Sequence, residues 1–83
     1  MNTLFLLLAE FGSGHVELEK ICEKYLNMTP EIAARNASTA SLPFPVIKLG
    51  TKKGTWLVAL SDLALYLDTE RFKARSEWEK VNG

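Results

Sequence analysis

Arg35, Asn36, Ser38, Thr39 and Ser41 crowd into seven residues, with Thr29 just ahead of them and Lys48, Lys52 and Lys53 just behind. These side-chain types make the hydrogen bonds that nucleic acids accept: arginine forks onto guanine, asparagine onto adenine, and lysines and hydroxyls reach phosphate oxygens. The surrounding charge supports that chemistry. From Ile32 to Ser61 there are four bases, Arg35, Lys48, Lys52 and Lys53, and no acid. The whole 83-residue chain balances 10 Lys and Arg against 10 Asp and Glu. Residues 1–43 hold three bases and five acids, and residues 44–83 hold seven bases and five acids, so the neutrality conceals a polarised chain. Zero net charge argues against a protein that grips polyanions with its entire surface, whereas a positive window is a candidate face for one. Ordinary solvated surface is the plainer reading of the same four bases.

Catalytic chemistry has little to work with. His15 sits between Gly14 and Val16, in what reads as a turn, with no partner in the pattern. Cys22 falls on the apolar side of a helical repeat, where a thiol behaves as a small buried hydrophobe. No zinc-ligand spacing occurs, and Gly12-Ser13-Gly14 lacks the preceding strand and full glycine pattern of a phosphate loop. Trp56 could stack on a base, but its alternation with Leu57 and Val58 reads as core. The expectation is a binding protein, not an enzyme, with no metal, no cofactor and no small-molecule substrate. A lone cysteine suits a reduced compartment, and the apolar run Leu4–Ala9 is far shorter than the roughly 20 residues of a membrane span. It also lacks the basic start and cleavage pattern of a signal peptide, so a cytoplasmic protein is expected.

The elements that must carry these residues follow from periodicity. At 47% hydrophobic and 24% charged, the chain suits one small core, a single domain over 1–83. In the apolar segment 1–12, Leu4, Leu7, Leu8 and Phe11 keep helical spacing, yet Phe5, Leu6 and Ala9 are apolar too, so a strand buried on both faces stays open as an alternative. All-round apolarity asks for a second partner, and a homodimer is the expected solution. After Gly12-Ser13-Gly14, the residues Leu18, Ile21, Cys22 and Tyr25 form one face of an amphipathic helix that ends at Leu26-Asn27-Met28. Thr29 then reads as an N-cap before Pro30 and Glu31, opening a helix that runs to about Ser41 and stops before Leu42-Pro43. Its inner stripe would be Ile32, Ala33, Ala37 and Ala40. Its outer stripe would be Glu31, Arg35, Ser38 and Ser41, with Asn36 and Thr39 oblique. The two helices make a helix-turn-helix over 16–41.

Leu42-Pro43-Phe44-Pro45 must be extended. Val46–Leu49 and Thr55–Ala59 read as strands of a β-hairpin over 46–59, with Lys52 and Lys53 at its tip. A hairpin after a helix-turn-helix is the order of a winged helix. The final helix, over 61–80, would start with Ser61 as N-cap and bury Leu63, Tyr66 and Leu67. Asp68-Thr69-Glu70 could restart a helix or continue this one, and Phe72, Trp78 and Val81 extend a loose apolar stripe that a partner subunit would cover. The fold class expected is therefore α+β, mostly helical: a winged helix-turn-helix with a short wing and a C-terminal helix.

Four stretches together resemble the pyocin activator protein (PrtN) family of transcriptional regulators. They are Asn2 to Gly12 (NTLFLLLAEFG), the Leu18-x-x-Ile21-Cys22-x-x-Tyr25-Leu26 pattern, Leu42 to Leu49 (LPFPVIKL), and Asp62-Leu63-Ala64-x-Tyr66-Leu67-Asp68-x-x-Arg71. The resemblance implies a small bacterial, nucleoid-associated activator of prophage or bacteriocin genes that binds double-stranded DNA upstream of them, with RNA polymerase as a further partner. Its architecture also looks like the winged-helix excisionases related to MerR. Carried over, the resemblance makes the helix after Thr29-Pro30 the DNA reader, through Arg35, Asn36, Ser38 and Thr39, and gives Lys48, Lys52 and Lys53 to the hairpin. The compact Gly50-to-Gly54 link departs from the family's usual, longer connection. A phage excisionase or DNA-bending architectural factor, or a protein-interaction adaptor, are the alternatives.

Overall fold

The computed structural model describes residues 2–50 and 55–83. In chain order the elements are α1 (Thr3–Phe11), β1 (His15–Glu17), α2 (Leu18–Leu26), α3 (Pro30–Ser38), β2 (Ile47–Leu49), β3 (Thr55–Ala59) and α4 (Leu60–Asn82), an α+β and mostly helical arrangement. The strands form one antiparallel sheet in the order β1-β3-β2.

Of the two options for the first segment, the helix is the one formed. Asn2 caps it by accepting from Leu4 N at 2.8 Å, and Gly12 closes it in the left-handed region at φ 71°. Leu7 is buried and Leu4, Leu8 and Phe11 pack against the core, while Phe5 and Leu6 stay outside at 68% and 52% exposure. His15 is not in a turn: His15–Glu17 is a strand paired with β3, with Val16 opposite Val58. Three residues with one inward side chain are too short for a period-2 signal, so this strand exists only because β3 lies beside it.

Asn27, in the left-handed region at φ 54°, ends α2, and three residues link it to α3. Thr29 caps α3 as expected, its Oγ1 accepting from Ile32 N at 3.3 Å, with Pro30 following. The far end differs from expectation, since α3 stops at Ser38, not Ser41. Ser41 N donates to Asn36 O at 2.8 Å and Ala40 N to Ala37 O at 3.2 Å, with Ala40 left-handed at φ 55°. That pair of bonds is a Schellman closure, built here with alanine where glycine is usual. Two inner-stripe assignments fall with it: Ala40 lies beyond the helix, and Ile32 is 44% exposed. Only Ala33 and Ala37 face inward from α3, and their small size lets it approach α2 closely.

α4 begins at Leu60, one residue before the expected Ser61 cap, with Ala59 in the N-cap position and no side-chain cap bond. Leu60 N donates instead to Gly14 O at 2.9 Å, so the β1 turn satisfies that end. The helix continues without a break to Asn82. Leu65, Phe72, Trp78 and Val81 lie exposed along it. Ile21, Cys22, Ala33, Val58, Leu60 and Leu63 are completely enclosed, and Leu7, Val16, Leu18, Ala37, Phe44 and Ala64 complete the core. Phe44 meets Tyr66 edge-on at 5.7 Å between ring centres, which pins the proline-rich segment to α4. Among the described residues no helix is long and apolar enough to cross a membrane.

Candidate nucleic-acid interface

At about 100° per residue, Arg35 stands two positions, and so about 160° around the helix, from each of Ala33 and Ala37. Since those two alanines are buried, Arg35 points directly away from the core, and it is exposed. Glu31 lies one turn earlier at the spacing that favours an i,i+4 ion pair, yet among the described residues Arg35 forms none. Its guanidinium is left available.

The neighbouring candidates are more occupied. Asn36 is half-buried with its Nδ2 3.8 Å from Met28 Sδ, an interaction too soft to hold the amide against a better acceptor. Ser38 Oγ donates to Arg35 O at 2.7 Å, and Thr39 Oγ1 lies 3.2 Å from Asn36 O. Thr39 Oγ1 and Ser41 Oγ share a bond of 2.8 Å. These three hydroxyls therefore gather at the C-terminal end of α3, where those of Ser38 and Thr39 bond carbonyls of its last turn. Thr29 does the corresponding work at the other end. The outer-stripe places expected for Thr39 and Ser41 are corrected here, because the helix closes at Ser38 and leaves both beyond its last turn.

On the sheet, Lys48 of β2 is exposed and directly opposite Trp56 of β3, with its Nζ 5.5 Å from the centre of the indole. Trp56 is half-buried and packs against the core cluster on one side. Its other side borders a groove of about 260 Å³ lined by Glu17, Leu18, Glu19, Pro30, Ala34, Thr55 and Trp56. Neither Arg35 nor Lys48 lines this groove, although Ala34 and Trp56, the neighbours of each, do. Lys52 and Lys53 lie outside the described residues. Glu17 ends β1 and holds the N-cap position of α2, and Glu19 stands in the first turn of that helix. They line this groove because β1 brings the start of α2 beside β3, and that pairing is invisible in the sequence.

Burial, reinforced by the nearby Glu23 charge, raises the Cys22 thiol pKa. His15 is exposed in β1, and among the described residues no group of three or more His, Cys, Asp or Glu side chains could hold a metal ion.

A small α+β domain with a three-residue link between two packed helices, an arginine-bearing exposed helix face and a lysine-bearing strand pair is the class these features define. Within that class, the chain belongs to the pyocin activator protein PrtN family, whose model matches residues 3–74, from the first turn of α1 into the projecting half of α4. No curated protein and no solved structure matches the chain.

Proposed function

We propose that this protein is a sequence-specific DNA-binding transcriptional activator of pyocin-like bacteriocin or prophage genes. In this reading α2, the Asn27–Thr29 link and α3 form a helix-turn-helix, with α3 in the major groove and β2 and β3 as the wing beside it. The element order and the β1-β3-β2 sheet suit a winged helix, and the family's own description supplies activation. The observation that carries the reading is Arg35: exposed, opposite the buried Ala33 and Ala37, and free of ion pairs among the described residues. Arg35 would fork onto guanine, Asn36 would reach adenine, and Lys48 would hold phosphate. The protein would act by binding alone, without catalysis or cofactor.

Two copies would bind together, since Phe5 and Leu6 on α1 and Phe72, Trp78 and Val81 on α4 offer apolar surface to a second chain. Activation would then come through contact with RNA polymerase in the bacterial cytoplasm.

Selection of bound sequences from random duplex DNA, followed by salt titration of the affinity, tests the reading. Arg35→Ala should cost about 1–3 kcal/mol on the selected site and relax preference at one base pair. Wild-type protein that shows neither salt-dependent duplex binding nor a selected sequence would refute the proposal.

A further inference from the structure

α3 carries a single large apolar side chain, Ile32, and it faces solvent at 44% exposure. The core has no place for it on that helix, because the inward positions are taken by alanines whose size sets the approach to α2. Ile32 lies three residues before Arg35, so it is about 60° around the helix from it and about 4.5 Å along the axis. That rise compares with the roughly 3.4 Å spacing of stacked base pairs. An apolar side chain set beside the reading arginine has one complement in the major groove, the 5-methyl group that thymine alone presents there.

We infer that Ile32 reads thymine through its methyl group, one or two base pairs from the guanine held by Arg35. The inference rests on the DNA-reading role proposed for α3 and adds to it a base that hydrogen bonding could not specify. The groups next to Ile32 do not duplicate this contact: Glu31 and Arg35 are charged, and Asn36 is polar. The flanking alanines are buried or line the groove on the far side.

The test uses the full chain and the duplex selected with it. Each thymine of the site is replaced singly by deoxyuridine, which keeps the base pair and removes only the methyl. Affinities are then measured for wild type, Ile32→Ala and Ile32→Val, with thermal melting confirming that both variants fold. One deoxyuridine, adjacent or next-adjacent to the guanine whose preference is lost in Arg35→Ala, should weaken wild type about fourfold, the value of one buried methyl. That same replacement should leave Ile32→Ala unchanged, and Ile32→Val should fall between. The inference is overturned if wild type is indifferent to every deoxyuridine, if Ile32→Ala keeps the wild-type loss, or if the selected site has no thymine near that guanine. In those three outcomes duplex binding and the Arg35 effect persist, so the DNA reading survives. Failure of wild type to bind duplex at any salt concentration removes both.

Discussion

Lys48 holds its ammonium 5.5 Å from the centre of the indole of Trp56, its direct cross-strand partner. The contact joins an exposed cation to a ring that is itself anchored in the core cluster, so the lysine is steadied without being neutralised. A cation held this way can meet phosphate with less loss of side-chain freedom than an unsupported one.

Lys48→Ala is therefore expected to weaken duplex binding similarly for all sequences and to lower the slope of log affinity against log salt by about one. An unchanged slope, with affinity lost at one sequence only, would assign Lys48 to base reading instead.

Ala40 closes α3 in the left-handed region, which costs an alanine roughly 1–2 kcal/mol relative to its ordinary backbone. Ala40→Gly should relieve that strain and stabilise the fold by about 0.5–1 kcal/mol after the larger unfolded-state entropy of glycine is deducted. Denaturant unfolding would show this as a higher midpoint with an unaltered slope.

Glu10 on α1 accepts from Lys24 Nζ at 2.8 Å and from Tyr25 Oη at 2.9 Å, and these bonds, Lys24 first, lower its pKa from the ordinary 4.5. A carboxylate with a depressed folded-state pKa contributes stability above its unfolded pKa and loses it as pH falls through the folded one. The stability difference between wild type and Glu10→Gln should accordingly be present at pH 6 and shrink as the solution is acidified below about 4.5. Because the pair is exposed, added salt should diminish it as well. A difference that grows on acidification would contradict the assigned partners.

Cys22 is fully enclosed, and burial raises its thiol pKa. The native protein should resist thiol reagents at neutral pH and react only at the rate at which the core opens, a rate that denaturant accelerates. Rapid stoichiometric labelling of folded protein would show that the α2 face is not sealed.

Several features were legible in the residues alone because they depend on neighbours in the chain. Thr29-Pro30 opens α3 through local hydrogen bonding and a fixed φ, and Leu18, Ile21 and Cys22 mark the buried face of α2 by spacing. Strands β2 and β3 announce themselves by composition, and the acid-free stretch from Ile32 to Ser61 locates the cationic region.

Other features depended on what lies across space. His15–Glu17 becomes a strand through hydrogen bonds to β3, and Leu60 opens α4 because Gly14 is there to receive its amide. Ile32 is left outside because α2 comes close enough to accept only alanines from α3. Residue types and their spacing determine which helices and strands this chain can form and where its positive charge lies. The packing of α2 against α3, and of β1 against β3, decided which side chains face out, because burial depends on distances between segments that no local pattern encodes.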